Sequence, residues 1–211
     1  MDSQQPANST RQRILECAAK LFAAKGYTET SMRELASAVG MKGASLYNHF
    51  PSKSAILEFM LNDYATQNVG HNDDVAMRAI LSENPNAVGI LMCLNLAFAD
   101  DKMDYYQSVL SVIFQEQHRN PVIRGYISEN IVQRERYLGE AIEILVQNGV
   151  LRQDIDSDFW MKCGSSIVYT FASRSLLGIG DSSPGYVGKS MVEMLYSLFD
   201  NMFSICGQQP T

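Results

Sequence analysis

The stretch Thr30–Lys53, TSMRELASAVGMKGASLYNHFPSK, constrains what this chain can fold into more tightly than any other. Ser31, three residues ahead of Glu34, forms a capping box in which each side chain satisfies the other residue's orphan amide at a helix start. Met32, Leu35, Ala36 and Val39 follow at the spacing of one buried helical face. Gly40 stops that helix, because a left-handed C-terminal cap costs glycine almost nothing. A second helix of roughly two turns is predicted from Lys42, with Leu46 and Phe50 turned inward and Gly43, Ser45, Asn48 and His49 turned outward. Pro51 closes it. Helix, glycine turn and short helix with a polar outer face make the layout of a helix-turn-helix, whose second helix enters the DNA major groove.

Ahead of this stretch, Ser9 or Thr10 is expected to cap a first helix. Its apolar stripe is Ile14, Cys17, Ala18, Leu21 and Phe22, and Gly26 ends it. Arg11 and Arg13 in its first turn are candidates to reach a phosphate. From Ser52 a longer helix carries Ile56, Leu57, Met60, Leu61 and Tyr64 on one side and ends near Gly70.

Beyond it the periodicity stays helical, with no alternating strand pattern and no internal repeat. Segments are expected at Asp74–Ser82, Ala87–Ala99 and Met103–Glu116, and Pro121 opens a long helix to Gly149 whose stripe is Ile127, Ile131, Leu138, Ile142 and Leu145. The last two helices, about 157–178 and 184–206, are apolar over too much of their circumference to pack on one side only. One carries Trp160, Cys163, Ile167 and Phe171 beside Val168, Ala172 and Leu176. The other pairs a stripe of Met191, Leu195, Leu198, Met202 and Ile205 with one of Val192, Tyr196, Phe199 and Phe203. A two-fold homodimer that joins these helices in a four-helix bundle covers both faces. The fold class is therefore all-α, about nine helices, with a helix-turn-helix domain over residues 1–51 and a helical dimerisation domain over residues 52–211, to which the family resemblance given below adds ligand binding.

Charge divides along the same line. The net charge is -6, yet residues 1–60 hold seven Lys and Arg against five Asp and Glu, while the remainder holds ten against eighteen. A mildly basic reader joined to an acidic body fits that asymmetry, with phosphate affinity drawn from a few placed cations and helix N-termini. No apolar run reaches the ~18 to 20 residues that span a bilayer. The polar start MDSQQPANSTRQR lacks a signal-peptide core, so a cytoplasmic location without membrane attachment is expected. Cys17, Cys93, Cys163 and Cys206 stand singly and read as buried reduced thiols.

In the third helix, Lys42 can meet a guanine edge or a phosphate, Asn48 can pair bidentately with adenine, and Ser45 can donate to either kind of partner. Gly43 allows close backbone approach, and Tyr47 and His49 are assigned to phosphates. Arg33 and Lys53 would grip the backbone on either side. A helical hairpin that binds no nucleic acid would account for the apolar spacing but leave Tyr47, Asn48, His49 and Lys53 without a role. Two other patterns look like metal sites. Asp154, Asp156 and Asp158 mimic the start of a calcium loop, but Phe159 and Ser165 stand where its glycine and bidentate glutamate belong, so they read as the acidic first turn of a helix. His71, Asp73 and Asp74 read as a solvated loop. No nucleophile elbow, P-loop, dinucleotide fingerprint or HExxH motif is present, and neither an enzyme nor a cofactor is expected.

The run GMKGASLYNHFPSK, with TSMRELA and LFAAKGY before it, resembles the DNA-binding domain of TetR-type transcriptional regulators over roughly residues 10–57. The resemblance implies an all-helical homodimer with a ligand pocket in the C-terminal body and its last two helices paired across the dimer. Carried over by position, it implies DNA contacts at Met32, Arg33, Lys42, Gly43, Ala44, Ser45, Tyr47, Asn48, His49 and Lys53. Where the family often has Ser or Thr, this chain has Lys42, which leaves the third helix without its usual cap. The expected function is a ligand-responsive regulator on double-stranded operator DNA, a repressor released by a small molecule, with an activator of the same fold or a helical adaptor as alternatives. The effector is expected to be largely apolar. Its pocket is placed among Met92, Cys93, Asn95, Leu96, Tyr105, Tyr106, Val109, Phe114, His118 and Tyr169, a few polar groups set among aromatics and methionines.

Overall fold

A computed structural model describes residues 5–68, 74–94, 102–176 and 189–207. The described residues form ten helices: α1 (Gln5–Lys25), α2 (Met32–Val39), α3 (Gly43–Tyr47), α4 (Lys53–Asn68), α5 (Asp74–Glu83), α6 (Ala87–Leu94), α7 (Met103–Glu116), α8 (Pro121–Gln147), α9 (Ser157–Leu176) and α10 (Lys189–Cys206). The fold class is all-α, as the periodicity indicates. Residues 95–99, 177–183 and 70–73, on which several expected helix ends and the His71–Asp73 loop fall, lie outside the described residues.

Two compact units divide the chain, one formed by Met1–Ala65 with Asp100–Ile127 and the other by Thr66–Ala99 with Ser128–Thr211. The first holds α1 to α4 and α7. Its interior is Ile14, Leu15, Ala18 and Phe22 of α1, Leu35, Ala36 and Val39 of α2, Leu46 and Phe50, Ile56, Leu57, Met60 and Leu61 of α4, and Tyr105, Tyr106, Val109 and Val112 of α7. Residues 53–65 of α4, assigned to the body on sequence, thus fall in the same compact unit as the first three helices, and α1 packs most extensively against α7. The reason is size. Helices of eight and five residues cannot cover the stripe of a 21-residue helix, so α7 covers the rest of it.

Three local expectations change here. Helix α1 starts at Gln5, ahead of Ser9 and Thr10; Pro6 sits in its first turn, where a missing amide costs nothing. The third helix closes after Tyr47 instead of reaching Phe50. Cys17 and Cys163 are half-buried, and only Cys93 and Cys206 are buried.

The second unit holds α5, α6, the larger part of α8, α9 and α10. Met77, Leu81, Ile90, Cys93, Leu138, Ile142, Leu145, Trp160, Leu195, Phe199 and Met202 form one continuous core. Its helices approach closely at Gly164 of α9, where an added Cβ would lie 3.2 Å from Leu138 and 3.3 Å from Phe199. The end of α10 is tied down by the Arg152 amide, which donates to the Cys206 carbonyl at 2.8 Å. Burial raises the Cys93 thiol to about 11. The three aspartates near α9 are used locally. Asp154 pairs bidentately with Arg152, Asp156 accepts from the Phe159 amide at 3.0 Å as a helix cap, and Asp158 pairs with Lys162. Ile131, expected in the core stripe of α8, is exposed, as is its neighbour Val132.

Candidate nucleic-acid interface

The head is set by its two short helices. Ser31 caps α2 as its sequence requires: its hydroxyl accepts from the Glu34 amide at 3.2 Å, and Glu34 accepts from the Ser31 amide at 2.8 Å. Lys25 forms an ion pair with the same carboxylate. The Lys25 ammonium, with the Ser31 amide and hydroxyl, holds the Glu34 carboxyl down to about 2. Gly40 takes φ +77°, and the Met41 amide donates to the Ala36 carbonyl at 2.9 Å, a closure that only a left-handed residue permits.

Helix α3 then starts at Gly43. Lys42 holds the cap position in extended backbone without a side-chain cap bond, which leaves its ammonium uncommitted to the helix end. Leu46 is sealed into the interior and Phe50 with it, whereas Tyr47 is 54% exposed. Gly43, Ala44, Ser45 and Asn48 are exposed around Tyr47, and His49 is half-buried. An added Cβ at Gly43 would meet nothing within 4 Å, so the protein's own packing does not require a glycine there. On α2, Arg33 is exposed and Met32 half-buried.

The other basic residues are placed differently. Arg11 donates to the His49 carbonyl at 3.2 Å and lies over the Phe50 ring, and Arg13 donates to the Val39 carbonyl at 3.2 Å. Both guanidinium groups thus close the C-terminal ends of the short helices, where carbonyls are left over and cations are favoured. Lys53 points into the α1–α2 loop. Its ammonium donates to the carbonyls of Tyr27 at 2.6 Å, Thr28 at 3.2 Å and Thr30 at 2.8 Å. Burial pulls that ammonium below the ordinary lysine value, opposed by the nearby Glu116, Glu29 and Glu34 carboxylates.

Glu116, at the end of α7, holds the same loop from the other side. It is 8% exposed and accepts from the Tyr27 amide at 3.2 Å, while its neighbour Gln115 donates to the Ala23 carbonyl at 3.0 Å. Sequence reasoning passed over Glu116, although the signal was present. Val109, Val112, Ile113 and Glu116 fall at i, i+3, i+4 and i+7, so the carboxylate lies on the buried face of α7.

The residues expected to hold an effector separate. Tyr105, Tyr106 and Val109 are buried together in the first unit, where Phe114 is half-buried and His118 exposed. In the second unit Cys93 is core, while Met92 and Tyr169 are exposed. Asn95 and Leu96 lie outside the described residues. A shallow groove in the second unit is lined by Met77, Arg78, Glu140, Glu143, Ile144 and Gln147, none of them in the expected set.

Residues 14–60, which span α1 to the middle of α4, match the bacterial regulatory proteins of the tetR family. The chain carries a TetR-type DNA-binding domain. It is 27% identical over 187 residues, 80% of its length and 88% of the relative's, to the HTH-type transcriptional repressor KstR2 of Rhodococcus jostii. It is 26% identical over 184 residues, 85% and 87% of the two lengths, to the HTH-type transcriptional repressor AcnR of Corynebacterium glutamicum. Among solved structures, a transcriptional regulator from Saccharomonospora viridis in complex with choline shares its fold at a TM-score of 0.62 and 24% identity, over 90% of this chain and 95% of the other. The TetR-type identification accounts for the head: two short helices with closed ends, presenting a polar face around Tyr47.

Proposed function

We propose that this TetR-type regulator is a repressor that binds a palindromic operator as a homodimer and leaves it when a small molecule binds. The observation that carries the reading is the contrast along α3, where Leu46 is sealed inside while Tyr47, Asn48, Ser45, Ala44 and Gly43 stand in the open. Asn48 and Lys42 meet base edges, Gly43 admits a close backbone approach, and Tyr47, His49 and Arg33 meet phosphates, with Met32 beside them. Lys53 serves the same surface by holding the α1–α2 loop. Two relatives named as repressors, together covering most of this chain, support repression over activation.

The dimer rests on apolar side chains that the single chain leaves exposed on its last helices. Tyr169 on α9 is one, and Val192, Met194, Tyr196 and Ile205 on α10 are others. Two heads related by a two-fold axis would read half-sites centred about 34 to 36 Å apart, or a multiple of that. The effector is a small, largely apolar molecule, bound in part by the interior of α7. It shifts the operator-bound population only by its difference in affinity between the two states. The protein would act in the cytoplasm.

A gel shift on DNA from the chain's own promoter region tests the reading. Specific, salt-dependent binding of two protomers per palindrome is expected. Binding that ignores DNA sequence, or that survives Tyr47→Ala together with Asn48→Ala unchanged, overturns it.

A further inference from the structure

We infer that Glu116, at the end of α7 and far outside the helix-turn-helix, is a positioning residue for operator reading: its hydrogen bond to the Tyr27 amide sets where α2 begins and so how the reading head meets DNA. The inference rests on the reading of the protein as an operator-binding regulator.

Nothing in α7 itself calls for a carboxylate at this place. Glu116 is the last residue of the helix, at the end where an anion is disfavoured. It is also buried, on the stripe that carries Val109, Val112 and Ile113. An apolar side chain would serve the packing there, and burying a charge is costly. The compensation comes from the head. The Glu116 Oε1 atom accepts from the Tyr27 amide at 3.2 Å, and a Cβ added to Gly26 would stand 3.9 Å from the same oxygen. The preceding side chain, Gln115, donates to the Ala23 carbonyl at 3.0 Å, one of those that α1 leaves over at its end. Consecutive side chains of α7 thereby hold the point where α1 stops and the loop begins.

Tyr27 is gripped from two directions. Its amide donates to the Glu116 carboxylate while its carbonyl accepts from the Lys53 ammonium at 2.6 Å. An anion at the amide and a cation at the carbonyl of one part-buried residue make both bonds charge-assisted, and each polarises the other. Burial pulls the Lys53 ammonium down, and Glu116 leads the carboxylates that oppose it.

The loop leads directly to the operator face. Buried Thr30 donates to the Gly26 carbonyl at 2.9 Å and closes the turn. Ser31 then caps α2, whose first turn carries Met32 and Arg33. A displacement of Tyr27 therefore passes to Arg33 through a turn held shut at both ends. The family match stops at residue 60, so on this inference the operator-reading machinery extends well past it, into α7.

Titrations of the full chain on DNA from its own promoter region test the inference, at a low temperature where circular dichroism shows each variant folded. Glu116→Gln and Glu116→Ala remove the same negative charge, but only the glutamine keeps an oxygen for the Tyr27 amide. Glu116→Ala should lower operator affinity by roughly tenfold, the scale of one charge-assisted hydrogen bond, at the wild-type salt slope. Glu116→Gln should stay within about threefold of wild type. Amide exchange at Tyr27 should accelerate in the alanine variant and not in the glutamine one. Gln115 is exposed, and Gln115→Ala should weaken operator binding a few fold; should Glu116→Ala fold poorly, wild-type affinity in Gln115→Ala overturns the inference. Electrostatics through space predicts the opposite sign, because losing an anion near the head favours DNA. A rise in affinity in both Glu116 variants therefore overturns the inference, as does an alanine variant that binds like wild type or a glutamine variant as weak as the alanine one. In each of these outcomes wild type still binds its operator, and the regulator reading stands. Absence of specific binding by wild type removes that reading, and the inference with it.

Discussion

The ammonium of Lys53 donates to the Tyr27 carbonyl at 2.6 Å and lies 4.3 Å from the centroid of the same residue's ring. One lysine at the start of α4 thereby fastens the loop that joins α1 to α2, and two further carbonyls share its protons. Lys53→Met should destabilise the protein by about 2 kcal/mol, in the range for partly buried charge-assisted bonds, as read by urea unfolding. Its operator affinity should fall while the slope of log affinity against log salt stays at the wild-type value. A slope lowered by about one would instead assign Lys53 directly to a phosphate.

The capping box makes a pH prediction. The Glu34 carboxyl is held at about 2, below its ordinary 4.5, by Lys25 and Ser31. A carboxyl depressed by folding contributes stability above its unfolded value and loses it as pH falls toward its folded value. Wild type should therefore exceed Glu34→Gln in stability at neutral pH, and the difference should close between pH 4.5 and about 2. A difference that persists at the acid end would place the effect in packing and not in the charge.

Gly43 has open space where a Cβ would stand. Gly43→Val should therefore fold with near wild-type stability while operator affinity drops by an order of magnitude or more, because the added atoms meet DNA and not protein. Asn48→Ala should relax preference at a single base position by about 1–3 kcal/mol, as read by binding to single-base operator variants. Uniform weakening across all variants would move Asn48 to the phosphates.

At Gly164 the situation is reversed. Contacts of 3.2 Å to Leu138 and 3.3 Å to Phe199 await any Cβ placed there. Gly164→Val should cost about 1–3 kcal/mol from overpacking, and Gly164→Ala less, as measured by thermal unfolding. Operator affinity at low temperature, per folded dimer, should change little.

Exposed apolar residues on α10 set a last test. Tyr196→Asp places a charge among Val192, Met194 and Ile205, all exposed on the single chain. Light scattering should show the dimer dissociating at concentrations where wild type stays paired, and palindromic operator binding should be lost with it. A variant that remains dimeric at every concentration would move the interface elsewhere.

Where neighbours in sequence decide the structure, the sequence was legible. The Ser31–Glu34 box, the Gly40 stop, the inward Leu46 and outward Tyr47, and the acidic first turn of α9 all depend on residues within a few positions of one another, and each lies where periodicity and capping put it. Helix ends set by weak preferences were less so, which is why α1 runs back past Ser9 to Gln5. In the last helix the apolar residues were recognised but their partition was not. Met191, Leu195, Phe199 and Met202 go inward while Ile205 is 63% exposed, because two apolar stripes compete and only the neighbouring helices choose between them.

The opening stretch by itself determined what the molecule does: a helix, a glycine turn and a short polar-faced helix suffice to specify a DNA reader, since the forces that shape it are local. Tertiary structure decided which charged groups are free to serve it. Arg11, Arg13 and Lys53 look alike in sequence as surface cations, yet all three are spent on backbone carbonyls from distant positions. Glu116, an ordinary acidic residue in the sequence, becomes a buried group that holds the head's loop. Burial gives a charge its consequence, and burial is fixed by contacts between residues far apart in the chain.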